Sequence, residues 1–423
     1  MGYGDPVAAG PLTRAHALAL DDADPLASFR DRFELGDGDR IYVDGNSLGR
    51  LSAGAREALS EAVDEWGTRL VTGWHDWVDL PTAVGDELGA AALGAAPGQV
   101  LACDSTTVNL YKLAGAVLAA HAGAVVVPAD DFPTDRYVLD GLAKAHGREL
   151  RMLESDPVAG PATDAVARAA HGAALVVLSH VNYRSGALAD MPALTRAVQT
   201  AGALVLWDLC HSAGAVDVGL DAAGADLAVG CTYKYLNAGP GSPAFLYVAA
   251  RHQGSLQSPI QGWFSQADQF AMGPRYEPVA GIGRFLAGTP PVLGLAAVRA
   301  GIAVLAEAGM AAVRRKAAAV TALAIDLHDE RLAGLGFTLG TPRDPDARGA
   351  HVSLRHPDAW RVCRALIEHA NVVPDFRHPD SIRLGLPPLY TRYVDVWDAI
   401  DRLAALVADG VHERMPAEAA RVT

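Results

Sequence analysis

Leu204-Val205-Leu206-Trp207-Asp208 and, further on, Leu227-Ala228-Val229-Gly230-Cys231-Thr232-Tyr233-Lys234 decide how this chain is read. Each is a short, unbroken apolar run that ends near an ionisable residue, the form of a strand buried on both faces of a parallel sheet. Open α/β sheets bind ligands beyond the carboxyl ends of their strands. Asp208 and Lys234 are thereby aimed at one crevice. His211-Ser212-Ala213-Gly214 follows the acid, and the glycine-rich loop Asn237-Ala238-Gly239-Pro240-Gly241 follows the amine.

Working outward, the apolar runs 124–127 and 175–178 alternate with Ala-rich helical patterns over 136–146, 161–171 and 191–201. Strands separated by helices predict an α/β sheet covered on both faces. Upstream, residues 41–47 read as a short strand entering a turn, and 54–70 as a helix. A helical pattern from 292 to about 332 opens a second region, interrupted by a Pro/Asp/Gly/Arg-rich loop at 341–349. The expected organisation is an N-terminal segment (1–70) joining a smaller α+β domain (306–423), with a large α/β domain (71–305) between them.

Composition removes other classes. The 423 residues carry 35 Lys plus Arg against 49 Asp plus Glu, a net charge of −14, which argues against nucleic-acid phosphates as partners. Arg314-Arg315-Lys316, the one basic triplet, reads as a solvated helix face. The apolar stretch 113–127 contains His121 and Gly123 and stops at Pro128, too short to span a membrane. No secretory signal is recognised near Met1, and Pro6 stands where a myristoylation site needs Ser or Thr, so the expectation is a cytoplasmic protein. Cys103, Cys210, Cys231 and Cys363 are widely spaced and read as buried free thiols. His351 and His356, five apart, would point to different faces of a helix; no metal site is assigned.

Nucleotide motifs are missing: no Gly-Lys pair for a phosphate-binding loop and no complete G-x-G-x-x-G. Lysine occurs only at 112, 144, 234 and 316. Lys112 and Lys144 fall in helical patterns and Lys316 in the basic triplet, leaving Lys234 alone at a strand end. An amine and an acid converging there suit pyridoxal phosphate, with Lys234 as its Schiff-base partner and Asp208 keeping the pyridine nitrogen protonated. The plainer alternatives are a helix N-cap for Asp208 and a surface position for Lys234. Asp104-Ser105-Thr106-Thr107-Val108-Asn109 could open a helix onto a phosphate or simply cap it. Asp131-Phe132-Pro133-Thr134-Asp135 could offer an aromatic face or a core residue.

Many segments, in one order, carry a resemblance. They include Tyr42-Val43-Asp44-Gly45-Asn46-Ser47-Leu48-Gly49, Trp77-Val78-Asp79-Leu80-Pro81, Asp104 to Leu110, and Phe132-Pro133-Thr134-Asp135. Trp207-Asp208-Leu209 with His211 to Ala215, Cys231 to Asn237, and Arg284-Phe285 with Gly288-Thr289-Pro290-Pro291 follow. Asp375-Phe376-Arg377 and Ile382-Arg383 with Pro388-Leu389-Tyr390 complete the set. Over nearly its whole length the chain resembles the kynureninases, pyridoxal-phosphate hydrolases of the fold-type I aminotransferase superfamily.

The resemblance implies that Lys234 is the Schiff-base lysine, Asp208 the partner of the ring nitrogen and Phe132 the stacking residue. Thr106, Thr107, Ser179, Tyr233, Trp263 and Thr289 match positions that hold the cofactor, mostly around its phosphate, and Asp135 and His211 match further cofactor contacts. Trp263 and Thr289 would reach across a homodimer interface. Arg383 would grip the substrate α-carboxylate, with Trp77 and Gly288 also matching the substrate pocket. Tyr233 is the leading candidate to assist proton transfer and could equally be a phosphate ligand. The implied reaction cleaves L-kynurenine to anthranilate and L-alanine, in tryptophan catabolism or for a specialised product.

Two departures stand out. The family usually reads Gly-Trp-(aromatic or Met)-Gly-His where this chain has Gly262-Trp263-Phe264-Ser265-Gln266, and Pro374 replaces a Gly before Asp375. A ring-substituted kynurenine is therefore the alternative substrate, although Gly288 follows the bacterial pattern that suits kynurenine itself. A cysteine-desulfurase-like enzyme would need a mobile cysteine, and Cys363 sits in a helical stretch. A non-catalytic paralogue is disfavoured by the joint presence of Lys234, Asp208 and Arg383.

Overall fold

A computed structural model describes residues 12–36 and 38–417; Met1, Gly2 and Pro6 lie outside them. The strands are β1 (Ile41–Tyr42), β2 (Val100–Ala102), β3 (Ala124–Pro128), β4 (Leu150–Leu153), β5 (Ala173–Ser179), β6 (Leu204–Asp208), β7 (Leu227–Gly230) and β8 (Phe245–Val248). After them come β9 (Thr338–Leu339), β10 (His351–Arg355), β11 (Val372–Val373), β12 (Asp375–Arg377) and β13 (Ser381–Gly385). A seven-stranded sheet has the order β2-β8-β7-β6-β5-β3-β4. It is parallel from β7 to β4, and β8 pairs antiparallel with both neighbours. The α/β sheet read from the apolar runs is present. Its antiparallel edge was not foreseen, because a four-residue buried strand carries no direction in its composition.

The parallel strands are buried on both faces, as their unbroken Val and Leu content requires. One face packs against the helices Leu80–Leu88, Thr163–Ala170, Met191–Thr200 and Val292–Ala308, and the other against Thr106–Ala120 and Pro133–Ala145. Trp207 is fully buried between layers, its indole N–H donating to Thr195 Oγ1 at 3.2 Å. The strand order reverses between β3 and β5, which opens a crevice at their carboxyl ends, the usual place for a ligand.

A second core surrounds the antiparallel sheet β12-β13-β10-β9 and the helices Met310–Leu327, Ala359–His369 and Tyr393–Ala408. The N-terminal helix Arg14–Asp22 joins it through Ala17, and Asp21 accepts the Tyr393 and Val394 N–H groups at 2.7 and 3.0 Å. The predicted helical stretch from 292 is broken at Gly309, whose φ of +75° ends one helix before the next departs at 82°. No single helix among the described residues is long and apolar enough to cross a membrane.

The basic triplet is not a solvated face. Arg314 and Lys316 are buried: Arg314 donates to the Arg348 carbonyl at 3.1 Å, and Lys316 Nζ lies 2.6 Å from Asp24. Helical charge patterning cannot reveal a partner so distant in sequence. His351 opens strand β10 and His356 directly follows it, so neither lies on a helix. All four cysteines are buried and free.

Because removing one member of a buried ion pair strands the other, Asp24→Ala should lower unfolding free energy by about 3–5 kcal/mol in urea titrations. Asp24→Leu with Lys316→Met should recover most of that loss.

Candidate active site

The carboxyl ends of β3, β5, β6 and β7 deliver the chemistry. Asp208 closes β6 and is 7% exposed, with Oδ1 accepting the Cys210 N–H at 2.7 Å. It stands in register with Ser179 at the end of β5. Ser179 Oγ donates to Asp131, which follows β3, and the Ser179 N–H reaches the same carboxylate at 3.2 Å. Asp135, in the first turn of the following helix, is hydrogen-bonded to Asp208 and has a buried Oδ2 without a protein partner. Burial, opposed by the Ser179 hydrogen bond, lifts the Asp131 carboxyl to about 7. Burial and the neighbouring Asp208 push Asp135 well above the carboxylate range.

Lys234 lies in the turn after β7, its Nζ 2.9 Å from His211 Nε2 and 5.8 Å from the centre of the Tyr233 ring. The backbone beneath it is pinned by Gly49, whose N–H donates to the Tyr233 carbonyl at 2.7 Å. A Cβ at Gly49 would sit 2.3 Å from the Lys234 carbonyl, so only glycine permits this approach. The Cys231 sulfur and burial push the Tyr233 phenol upward, leaving it a neutral donor.

Opposite the acids, Thr106 and Thr107 open the helix Thr106–Ala120, capped by Ser105, whose Oγ accepts the Val108 N–H at 3.3 Å. Thr106 Oγ1 is 3.6 Å from Cys210 Sγ, which ties this helix start to the Asp208 turn. Lys112, read only as a helical residue, is fully buried beneath it, 2.6 Å from Asp104 and 2.7 Å from the Phe285 carbonyl. Phe132 is 39% exposed and meets Tyr183 edge-on at 5.3 Å, rather than lying in the core.

The smaller unit supplies a cationic wall. Arg383 on β13 is 1% exposed; Nε donates to Asp375 Oδ1 at 2.7 Å, Nη2 to Asp375 and to Ser47 at 3.1 Å, and Nη1 to the Tyr183 carbonyl. Arg377 shares the same carboxylate at 2.7 Å. Burial would raise the Asp375 carboxyl, but the two guanidiniums outweigh it and hold it below the usual range. Asp375, Arg377 and Ser47 were visible only as parts of quoted motifs; the sequence assigned none of them to this network.

Trp263, Gly288, Thr289 and Trp77 gather elsewhere. Trp77 is buried, its indole N–H on Glu65 at 3.3 Å and its ring 5.6 Å from Trp74. With Trp66, Trp74 and Thr289 it lines an apolar groove at the start of the helix Val292–Ala308. Trp263 is half exposed against Phe264 and Phe270. Among the described residues, none of these four has a hydrogen bond or ring contact with the Lys234 group. Gln266 binds the backbone of its own loop, accepting the Glu277 N–H at 2.7 Å.

The donor set fits a phosphorylated pyridine aldehyde. Three buried carboxyl groups with an orphaned oxygen call for a protonated ring nitrogen, Lys234 offers an amine to an aldehyde, and the hydroxyl-rich helix start suits a phosphate.

Comparison with known proteins agrees. Residues 313–403 match the family model described as the kynureninase C-terminal domain. The chain is 46% identical over 402 residues to a kynureninase of Burkholderia pseudomallei (strain K96243), covering 92% of this chain and 94% of that relative. It is 44% identical over 406 residues to one of Pseudomonas fluorescens, covering 93% and 95%. In fold it is similar to a cysteine desulfurase from Escherichia coli, with a TM-score of 0.77 at 15% identity over 93% of this chain and 99% of that one. A cysteine desulfurase from Thermococcus onnurineus NA1 gives 0.76 at 20% identity, over 88% and 95%. Near-complete coverage at such identity, on a fold-type I framework, makes this chain a member of the kynureninase family.

Proposed function

We propose that the protein is a pyridoxal-phosphate-dependent kynureninase, hydrolysing the Cβ–Cγ bond of L-kynurenine to anthranilate and L-alanine. The observation that carries this reading is the single amine, Lys234, facing a buried carboxyl cluster at the sheet's switch point. Bound there, pyridoxal phosphate supplies an aldehyde for the amine and a protonated ring that withdraws electrons from the substrate's α-carbon.

The protein's own groups divide the remaining work. Asp208, supported by the Cys210 N–H and by Asp135, holds the ring nitrogen in its protonated form. Thr106, Thr107 and Tyr233 would hold the phosphate end, Phe132 would cover the ring, and Ser179, beside the acids, would with His211 complete the cofactor contacts. Lys234 Nζ would take the α-proton and later return one, and as water adds to the side-chain carbonyl and the Cβ–Cγ bond breaks, the Tyr233 hydroxyl would give a proton to Cβ and regain one from that water. Arg383, held by Asp375 through Nε and Nη2, would meet the α-carboxylate from its Nη1 side, exchanging the Tyr183 carbonyl for the substrate. Cys363 is fully buried in a helix, which disfavours a desulfurase-like nucleophile.

Trp263 and Thr289 lie exposed and apart from Lys234, which supports a homodimer in which each subunit lends them to its partner's site, with Trp77 and Gly288 shaping the aryl pocket. The setting is cytoplasmic tryptophan catabolism, leading to anthranilate or toward NAD biosynthesis. Because Gln266 is held by its own loop and cannot act as the family's histidine, a ring-substituted kynurenine is the second reading.

Purified protein with pyridoxal phosphate should release fluorescent anthranilate from L-kynurenine. A protein silent on kynurenine but active on a ring-substituted analogue would change the substrate alone. Lys234→Ala should lower turnover by at least about 10³-fold, and normal activity in that variant would refute its role. Mixing Lys234→Ala subunits with Trp263→Ala subunits should restore activity that neither shows alone; no recovery after verified subunit exchange would contradict the shared site.

A pH signature follows from Asp131. Its folded form keeps a proton up to about 7, whereas the unfolded chain releases it near pH 4, so its contribution to stability falls as pH rises between those values. Thermal melts of cofactor-free Asp131→Asn should show a smaller decline from pH 4 to pH 8 than wild type.

A further inference from the structure

Two of the four cysteines stand just past the ends of neighbouring strands, beside the residues that frame the crevice. β6 and β7 pair in parallel with Asp208 opposite Val229, so Cys210 and Cys231 leave their strands at the same level. Adjacent strands run about 4.8 Å apart, inside the roughly 4.4–6.8 Å between α-carbons that a disulfide spans. Side-chain contacts agree with that spacing. Cys231 Sγ lies 3.7 Å from the Cys210 carbonyl oxygen, and the two thiols are hydrogen-bonded to each other. Cys103 and Cys363 are held by other groups, the first by Asn109 and Lys112, the second by the Pro374 carbonyl.

The two thiols are chemically unequal. The hydrogen bond to Cys231 and burial push the Cys210 thiol well above its usual range. Burial would raise Cys231 as well, but the hydrogen bond with Cys210 and the charge of Lys234 outweigh it and bring this thiol below the usual range. A thiolate beside a protonated thiol lets one sulfur attack an oxidant and the other resolve the product. At 9% and 3% exposure, Cys210 and Cys231 suit an oxidant as small as hydrogen peroxide and exclude one as bulky as oxidised glutathione.

Both sulfurs adjoin the cofactor groups. Cys210 Sγ is 3.6 Å from Thr106 Oγ1, and the Cys210 N–H holds Asp208 at 2.7 Å. Drawing Cys210 Sγ into a bond with Cys231 takes it away from Thr106 and pulls on the turn that carries Asp208 and His211.

We infer that Cys210 and Cys231 are a peroxide-sensitive dithiol whose closure to a disulfide weakens cofactor binding. The Cys231 thiolate attacks one peroxide oxygen and the O–O bond breaks. The departing hydroxide takes up the proton that Cys231 had lost and leaves as water. Cys210 then attacks the sulfur of the Cys231 sulfenic acid; its own proton goes to the leaving hydroxyl, the S–S bond forms and a second water departs. Two thiols are oxidised and one peroxide is reduced. The inference rests on the Thr106 helix start being the cofactor's phosphate end, but the bridge itself needs neither substrate nor cofactor.

The test treats cofactor-free protein with hydrogen peroxide, alkylates it and maps it by mass spectrometry without reductant. The Cys210 and Cys231 peptides should be recovered joined by a disulfide, and pyridoxal phosphate added beforehand should slow the joining. Oxidised protein should bind pyridoxal phosphate about tenfold more weakly by Schiff-base absorbance, with recovery after dithiothreitol. Cys210→Ala and Cys231→Ala should each abolish the bridge and its reversal by dithiothreitol, so either variant serves if the other does not fold. Separate Cys210 and Cys231 peptides after oxidation, or a bridge that leaves cofactor binding unchanged, would overturn the inference. Cofactor uptake by the reduced protein tests the site reading separately. A bridge that weakens uptake in a protein silent on kynurenine would support the inference and count against the substrate reading alone.

Discussion

Three carboxyl groups, Asp131, Asp135 and Asp208, are buried together where β3, β5 and β6 end, and this concentration of acid is the constraint on which the site depends. Buried carboxylates repel one another and lose hydration, so such a cluster is stable only if it keeps protons or receives a cation. In the cofactor-free protein, burial raises Asp131 to about 7 and Asp135 well above the carboxylate range, so each holds its proton more tightly than a solvated carboxyl does. A ring nitrogen that must stay protonated satisfies the same need and gains an environment that water could not provide. The electron-withdrawing chemistry proposed for the site is thus a consequence of how the parallel sheet ends.

The rest of the molecule is arranged around that crevice. The larger core fixes the strand ends, while β10 and β13 of the smaller sheet bring His351 and Arg383 to face them. Arg383 and Arg377 share Asp375, so the carboxylate-binding wall is assembled before substrate arrives. Trp263 and Thr289, on an exposed apolar margin, belong with a second subunit in the proposed dimer. Family membership fixes the chemistry more firmly than the aryl group, since Gln266 is committed to its own loop.

Much of this was legible in the sequence, for reasons that differ by residue. Asp208 and Lys234 could be placed because an apolar run buried on both faces has only one destination for its terminal polar residue. The scarcity of lysine then sharpened the choice. The same scarcity argument said nothing about Lys316, whose partner Asp24 lies far away in sequence, and nothing about Lys112, buried under the Thr106 helix start. The break at Gly309 was missed because a glycine inside an Ala-rich helical pattern is weak punctuation until its φ is known.

The central claim is that one amine of four serves the site, and chemical trapping tests it directly. Protein incubated with pyridoxal phosphate, reduced with borohydride and mapped by mass spectrometry should carry a single pyridoxyl group on the peptide containing Lys234. A label on Lys112, Lys144 or Lys316 in its place, or no label at all, would contradict the account.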